Sequence, residues 1–528
     1  MVKPLYFITS FFYFFLSVLF TSQAQNQKKV PLVIQIDAKQ RAQIIDNFGA
    51  AGCWYAEGIG KSWPTEKKEQ IAEWLFSQEQ DAQGNPRGIG LSAWRFNIGG
   101  GTTEQGDSSG INNVNRRVEC FLNPDGTYDW TKQAGYTWFL QKAKNYGVEY
   151  LIAFSNTPPV HFTQNGLGFK TVKDYRSNLK PDKYEAYADF LAEVLKHYEA
   201  AGLRFSYISP VNEPQWDWTG KFGEAKQEGS PWQNAEISRV VKLLDNSLEK
   251  NKLNTQILLP EAAMLTYLYS GKTPVSRQVQ QFFGKQSDLN LGNLKHVPPV
   301  VAGHSYFTDA GDSAIISVRK QVADTVRRYG VNYWQSEYSM LADGFREGVK
   351  GRRSAMDCGL FLAKIIHQDL TVGNAAAWQF WNAFEPGRPD FDTRYYLIAL
   401  QPNPTHTDGS FAQTKNLWAL GHYSLFVRPG MHRLQTTRSD KLDALADAQE
   451  VMVSAYANEK GKLVVVAINY QPEERDLQLQ LKNFKRQDTY KRFLTTAAPD
   501  DNLKAYPAGK LKSGIKLPPR SITTLEIN

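Results

Sequence analysis

Short apolar runs alternate with segments of helical periodicity from about residue 43 to about residue 382. Eight of these runs are predicted to be strands, at 44–52, 91–99, 149–156, 205–212, 256–263, 300–307, 332–339 and 375–382. Apolar residues recur every three or four positions in intervening segments, clearest at 64–76, 180–202, 235–250, 314–330 and 355–370. Strands that are apolar without strict alternation are typical of a parallel sheet buried on both faces. Eight such units predict an α/β fold, a (β/α)8 TIM barrel.

The pattern changes after the loop at 401–410. Runs at 451–457, 462–469, 476–481 and 520–527 have the character of strands and predict an appended β-sandwich. The segment 29–37, ahead of the barrel, can lend that sheet another strand. The predicted organisation is a signal peptide at 1–24, an N-terminal strand segment at 25–42, the barrel at 43–420 and the β-sandwich at 421–528.

The first 24 residues have the features of a secretory signal peptide. Lys3 precedes an apolar stretch from Leu5 to Phe20, and the small residues Ser22 and Ala24 fit cleavage after Ala24. A retained signal anchor is the alternative. No later stretch approaches the roughly 18 to 20 consecutive apolar residues that cross a bilayer. We therefore expect a secreted or periplasmic monomer that has no membrane attachment once the signal is removed.

The charge pattern and the cysteine and histidine positions bear on possible partners, disulfides and metal sites. The formal charge is +8, but basic and acidic residues are interleaved, as at 480–493, which is typical of a solvated face and argues against nucleic acid as a partner. The cysteines Cys53, Cys120 and Cys358 cannot all pair, so one disulfide or three buried thiols both remain open. No cysteine or histidine cluster has metal-ligand spacing, so His161, His304 and His422 predict no metal site, and we expect no cofactor.

Two acids stand at the ends of predicted barrel strands, where the loops of such a barrel meet. Glu213 follows Asn212 after the fourth strand, and Glu337 lies at the end of the seventh. Strands four and seven lie on opposite sides of the barrel, so the two carboxylates can face each other across its mouth. A facing pair about 5 to 5.5 Å apart serves a retaining glycoside hydrolase, in which one acid protonates the leaving oxygen and the other attacks the anomeric carbon.

The sequence around each acid suggests which role it has. Glu213 is followed by Pro214 and by two tryptophans, Trp216 and Trp218, which can shield its carboxyl from water and favour the neutral acid. Glu337 is flanked by residues whose hydroxyls favour the ionised form: Tyr333, Ser336 and Tyr338. Asn-Glu-Pro at a strand end can also be a helix cap. The rival acids are Glu57, Glu104 and Glu261.

Several segments resemble glycoside hydrolase family 30. They are FNIGGG after strand two, FSNTPP after strand three, ISPVNEPQWDW, QSEYS and ALGHYSLFVRPG, and the likeness covers nearly all the mature chain. The resemblance implies that Glu213 is the acid/base, Glu337 is the nucleophile and Asn212 contacts the sugar's 2-hydroxyl. DNFGAAGCWYAEGIG and WRFNIGGGTTEQGD most resemble the endo-β-1,6-galactanase branch. A β-1,6-glucanase or xylanase of the same family, or a non-catalytic carbohydrate-binding pseudo-enzyme, are the alternatives.

The aromatic content, 13%, fits a polysaccharide or oligosaccharide partner, because Trp and Tyr have flat apolar faces that stack on sugars. Core packing is the alternative for the tryptophans. Tyr306 shares one face of strand six with His304 and is expected to reach Glu337, and Arg95 can pair with an acid in the barrel mouth or form a structural ion pair. The predicted substrate-binding residues all lie near strand ends: Trp54, Asn156, Asn212, Trp216, His304, Tyr306, Trp378 and Trp381.

Overall fold

A computed structural model describes residues 30–272, 274–342, 353–485 and 488–527. The predicted signal peptide lies outside these residues. After β1 (Leu32–Ile44), the chain enters a parallel barrel made of β2 (Asn47–Ala51), β3 (Ala93–Ile98), β4 (Tyr150–Ser155), β5 (Tyr207–Ser209), β6 (Gln256–Ile257), β7 (Leu259–Ala262), β8 (Val300–His304), β9 (Asn332–Tyr338) and β10 (Ala375–Phe380).

The strand order shows how the barrel closes. It is β6-β5-β4-β3-β2-β10-β9-β8-β7. Only Leu258 separates β6 from β7, so the two segments are halves of one barrel strand, one pairing with β5 and the other with β8. All eight predicted strands are present, and the predicted (β/α)8 barrel is confirmed.

Helices connect the strands and cover the barrel. They are α1 (Ala56–Ser62), α2 (Thr65–Phe76), α3 (Thr102–Gln105), α4 (Ala134–Asn145), α5 (Tyr184–Ala200), α6 (Asn234–Lys250), α7 (Thr266–Tyr269), α8 (Gln278–Phe283), α9 (Asp312–Tyr329), α10 (Ala355–Thr371), α11 (Lys415–Ser424) and α12 (Ala444–Asp447). The five clearest predicted helices are α2, α5, α6, α9 and α10. In α5 the apolar stripe is buried, and the chain leaves the helix through Gly202, whose φ of +78° suits a residue without Cβ.

A short sheet follows the barrel strands, formed by β11 (Phe384–Pro386), β12 (Ile398–Pro402) and β13 (Gly409–Gln413). The C-terminal strands are β14 (His432–Arg438), β15 (Val451–Ala457), β16 (Leu463–Asn469), β17 (Arg475–Lys482), β18 (Thr489–Thr495), β19 (Lys504–Lys510), β20 (Ile515–Leu517) and β21 (Ser521–Ile527). They form a mostly antiparallel sheet in which β1 lies between β14 and β17. The N-terminal segment therefore does contribute a strand to the C-terminal sheet.

Strand β16 shows how this sheet joins the barrel. Leu463, Val465 and Ala467 belong to a separate core inside the C-terminal region, together with residues from β1, β15, β17, β20 and β21. Val464 and Val466 point the other way, into the core that also contains the barrel and its helices. Because successive strand residues face opposite sides, one apolar run fills two cores. The barrel and the sheet consequently belong to one compact unit, Pro31–Asn528.

Two further expectations concern thiols and membranes. Cys53, Cys120 and Cys358 are all free and buried, which resolves the alternatives in favour of three thiols. Within the described ranges, no helix combines the length and apolar character that crossing a membrane requires.

Candidate active site

Glu213 and Glu337 lie together at the mouth of the barrel. Glu213 is in the loop after β5, where its backbone has a φ of +45°, and Glu337 is in β9. One oxygen of each carboxylate and a ring nitrogen of His304 lie within 4.8 Å of one another. A non-glycine residue in the left-handed region is uncommon and is enriched at functional sites. The loop backbone thus directs one carboxylate toward the other.

Two side chains form hydrogen bonds to Glu337, one from β3 and one from the segment just after β8. Arg95 of β3 places Nη1 2.6 Å from Oε2, and the Tyr306 hydroxyl donates to Oε1 at 3.0 Å. The Arg95 guanidinium also packs over the ring of Phe154, 4.3 Å from its centroid. Arg95, Tyr306 and Glu337 are all buried. The paired guanidinium stabilises a negative charge on Glu337, and Tyr306 makes the expected contact.

The flanking hydroxyls do not contact Glu337, contrary to the sequence interpretation. Tyr338 donates to Asp309 at 2.7 Å, and Ser336 donates to Glu261. The hydroxyl of Tyr333 has no hydrogen-bond partner among the described residues. Consecutive side chains of a strand point to opposite faces, so adjacency in the sequence does not bring Ser336 or Tyr338 to the carboxylate.

Glu213 is less enclosed than Glu337. Its side chain is 15% exposed, and its Oε1 lies 3.0 Å from Nδ1 of His304. Burial raises the pKa of Glu213 above its usual range, although the hydrogen bond to His304 opposes the shift. A carboxyl with a raised pKa retains its proton to higher pH, which suits a general acid.

A third acid, Glu261, lies behind this pair. It ends the fifth barrel strand and is fully buried, with Oε2 3.2 Å from Nε2 of His304 and Oε1 3.7 Å from Nη2 of Arg95. Burial alone would raise its pKa, but Arg95, His304 and a hydrogen bond from Ser209 lower the pKa of Glu261 to about 2. Burial would lower the pKa of His304, but Glu337, Glu213 and Glu261 raise it to about 10. The cluster therefore holds opposite charges in direct contact.

Asparagines at the ends of three adjacent strands orient one another. Asn212 donates from Nδ2 to Oδ1 of Asn156 at 3.0 Å, and Asn156 donates to Oδ1 of Asn97 at 3.3 Å. The Oδ1 of Asn212 is buried and has no hydrogen-bond partner among the described residues. This row fixes the Asn212 amide with its oxygen left as an unused acceptor.

Comparison with known proteins identifies the family. Residues 31–391 match the family model described as O-Glycosyl hydrolase family 30. The chain belongs to this family. The enzyme is accordingly a retaining O-glycosyl hydrolase.

Relatives of the enzyme include proteins of different stated activities. It is 21% identical to an endo-β-1,6-galactanase of Hypocrea rufa, over 93% of this chain and 92% of that protein. It is 22% identical to a glucuronoxylanase of Bacillus subtilis, over 72% and 74% of the two chains. A solved structure, a conserved exported protein from Bacteroides fragilis, is 35% identical with a TM-score of 0.87, and covers 94% of this chain and 100% of its own.

The enzyme's two carboxylates open into a cleft of about 550 Å³. Several predicted binding residues line it: Trp54, Asn212, Trp216, Tyr306 and Trp381. Trp54 and Trp381 meet edge to face, with ring centroids 5.3 Å apart. Arg116 also lines the cleft, with its guanidinium 4.3 Å from the centroid of Trp54. Aromatic faces beside hydrogen-bonding groups are what a sugar-binding cleft requires.

Trp378, Asn156 and His304 do not line the cleft. Trp378 is fully buried in the core between the barrel and its helices, where its indole donates to Asp369 of α10 at 3.0 Å. It lies within β10, whereas Trp381 lies just beyond the end of that strand. Asn156 and His304 are buried one layer deeper and contact Asn212 and Glu213 respectively.

Two of the rival acids have structural contacts elsewhere. Glu57 accepts hydrogen bonds from the backbone N–H groups of Gly135 and Tyr136, in the first turn of α4. Glu104 forms an ion pair with Lys132 at 2.8 Å. Of the three rivals, only Glu261 joins the cluster around Glu213 and Glu337.

Phe307 is a cleft residue that the sequence interpretation missed. Its ring is 46% exposed and lies nearly parallel to that of Trp216, with centroids 6.2 Å apart and an interplanar angle of 9°. The backbone of Phe307 has a φ of +56°. Phe307 is the last residue of the predicted sixth strand, so an aromatic residue at a strand end was the available signal.

The cluster must also be considered as a metal site. The ligand atoms of Glu213, His304 and Glu337 are close enough to share an ion. Arg95, however, already pairs with Glu337, and His304 lies between Glu213 and Glu261. Bringing a cation beside the Arg95 guanidinium would place like charges together, so this donor set fits a proton-transfer site better than a metal centre.

Proposed function

We propose that the enzyme is a secreted endo-β-1,6-galactanase in which Glu337 is the nucleophile and Glu213 is the acid/base. The observation that carries the two catalytic roles is that one oxygen of each carboxylate lies within 4.8 Å of the other at the cleft floor. Separations of about 5 to 5.5 Å between carboxyl groups characterise double displacement, because no room is left for a water between them.

The reaction proceeds in two steps on these residues. Glu337, paired with Arg95, attacks the anomeric carbon while Glu213 gives its proton to the leaving oxygen, so that one sugar–oxygen bond breaks and one forms. Glu213 then takes a proton from water, and the resulting hydroxide displaces Glu337. The unused Oδ1 of Asn212 can accept a hydrogen bond from a hydroxyl of the sugar bound over Glu337.

The substrate assignment is supported by the extent of the likeness to known proteins. The relative named as an endo-β-1,6-galactanase matches over 93% of the chain, whereas a relative named as a glucuronoxylanase matches over 72%. The location is supported by the N-terminal apolar stretch and by the similar protein from Bacteroides fragilis, which is named as exported. We place the enzyme outside the cytoplasm on these grounds.

Cleavage within a chain is supported by the paired rings at the cleft rim. Trp216 and Phe307 are each 46% exposed, and their ring planes are nearly parallel, so two aromatic rings stand next to each other at the rim. Exposed aromatic rings can stack on sugars, so this pair extends the binding surface away from the two carboxylates. A cleft that binds several sugars beyond the carboxylates favours attack at internal linkages.

A panel of polysaccharides tests the substrate assignment. The mature enzyme should release reducing ends from linear β-1,6-galactan and give a ladder of oligosaccharides at early times. Release mainly from β-1,6-glucan or from glucuronoxylan would assign the enzyme to one of those activities instead. Absence of product from all three would favour a non-catalytic carbohydrate-binding protein.

Phe307→Ala should raise KM for the polysaccharide about five- to tenfold, since a lost stacking contact costs about 1 to 1.5 kcal/mol. Phe307→Tyr keeps the ring and should keep a KM near that of the wild type. Phe222→Ala is the matched control, because Phe222 is also an exposed phenylalanine but does not line the cleft. Equal KM values for Phe307→Ala and Phe222→Ala would remove Phe307 from the binding surface.

A further inference from the structure

Glu261 has contacts that neither the nucleophile nor the acid/base requires. Its carboxylate accepts hydrogen bonds from Ser209 at 2.6 Å and from Ser336, and it faces Arg95 and His304. The side chain is 0% exposed, so it cannot touch a glycan in the cleft. A buried carboxylate that meets four donor groups is strongly stabilised as an anion. Any effect of Glu261 on the reaction must therefore pass through its neighbours.

His304 connects Glu261 to Glu213. Nε2 of His304 is 3.2 Å from Glu261, and Nδ1 is 3.0 Å from Glu213. A neutral imidazole has one N–H group and one lone pair. Because Glu261 is an anion and can only accept, Nε2 must carry a hydrogen. The contact between Nδ1 and Glu213 then has two possible forms, which differ in where the proton lies.

These two forms have different consequences for an acid. If Nδ1 carries a hydrogen, it donates to Oε1 of Glu213, so the acid proton of Glu213 must lie on Oε2. If Nδ1 has only a lone pair, it accepts a hydrogen bond from Glu213, and the acid proton of Glu213 then lies on Oε1, away from the cleft. Glu213 lines the cleft, and its Oε2 has no hydrogen-bond donor among the described residues, so Oε2 is the oxygen available to substrate.

Charge decides between the two forms. The charged and titratable groups facing His304 and Glu213 are Glu261, Glu337, Arg95 and Tyr306. When Glu213 is protonated and His304 is doubly protonated, the negative charges of Glu261 and Glu337 are balanced by the positive charges of Arg95 and His304. If Glu261 were neutral, doubly protonated His304 would leave an excess positive charge in a buried site, which is unfavourable.

We propose that Glu261 is a positioning residue that keeps His304 doubly protonated, so that the acid proton of Glu213 stays on the oxygen facing the cleft. This inference rests on the proposed role of Glu213 as acid/base and extends it to the residue behind it. The elevated pKa of His304, about 10, agrees with the geometry.

Glu261→Gln should move the alkaline limb of the kcat/KM profile to lower pH by about one unit or more, because a neighbouring charge shifts a pKa by about one to three units. The sign follows from removing an anion, since Glu213 and His304 then hold their protons less tightly. At pH values above the shifted limb, kcat/KM should fall strongly for the polysaccharide. It should fall less for a dinitrophenyl glycoside, whose leaving group needs little protonation. A purely structural role predicts equal loss on both substrates at every pH, with the limb unmoved, and that result would overturn the proposal.

Two further measurements test the proposal even if Glu261→Gln does not fold. Glu261→Asp retains the charge and should keep the limb near its wild-type position, even where kcat falls. In wild-type enzyme labelled with ¹⁵N-histidine, both ring nitrogens of His304 should carry hydrogens at pH 8, with the signals assigned by their loss in His304→Gln. A singly protonated His304 would contradict the proposal. The nitrogen signals do not depend on which glycan is cleaved, so this failure is distinguishable from failure of the galactanase assignment.

Discussion

Replacing Glu337 with alanine should abolish turnover of every glycoside that the wild-type enzyme cleaves. The substitution removes the oxygen that bonds to the anomeric carbon, while Arg95 keeps Glu261 as a nearby counter-charge. Loss of a nucleophile lowers kcat by about 10⁵-fold or more. Initial rates on the polysaccharide and on an aryl glycoside, with thermal unfolding of both proteins, measure the effect.

Glu104→Gln is the matched control for Glu337→Ala. Glu104 is an acid near the same mouth, but it pairs with Lys132 and takes no part in the cluster. This variant should retain wild-type activity. If folded Glu337→Ala retains substantial turnover, the nucleophile is another acid, and Glu261 is the nearest candidate.

Glu213→Ala should separate the two steps of the reaction. On the polysaccharide it should lose about 10²- to 10⁴-fold in kcat, because the leaving oxygen is no longer protonated and water is no longer activated. A dinitrophenyl glycoside needs little protonation in the first step. With that substrate the variant should release dinitrophenol in a burst equal to the enzyme concentration and then stall at hydrolysis.

Azide provides the control for the role of Glu213. A small anion can enter the space left by the side chain and attack the glycosyl-enzyme, so azide should restore turnover and yield a β-glycosyl azide. Glu337→Ala should yield no β-linked azide, because it cannot form the covalent intermediate. Equal losses of Glu213→Ala on activated and natural substrates, without azide rescue, would give the acid/base role to another residue.

The barrel could be predicted from sequence because its strands are buried on both faces. In β8 and β10 every residue is buried, and each strand begins with a continuous apolar run, VVA in β8 and AAAW in β10. The same signal fails where strands are partly exposed. β14, HRLQTTR, and β19, KAYPAGK, contain few apolar residues, and both were missed among the C-terminal strands.

The contacts within the site were harder to predict than its position. Strand ends indicated Glu213 and Glu337, and alternation along strand six indicated Tyr306. The hydrogen bonds of His304 join residues 91 and 43 positions away in the chain, so strand register around the closed barrel determines them. Trp378 shows the same limit, because a tryptophan near a strand end has the same local sequence pattern whether it packs in the core or lines the cleft.

The mass of the peptide that contains Glu337 tests the central assignment most directly. Glu213→Ala is mixed with a dinitrophenyl β-glycoside of the sugar that the enzyme cleaves, quenched in acid after the burst, digested and sequenced by mass spectrometry. We expect one glycosyl unit attached to Glu337. Attachment to another residue, such as Glu261, or hydrolysis without any glycosyl-peptide, would contradict the account.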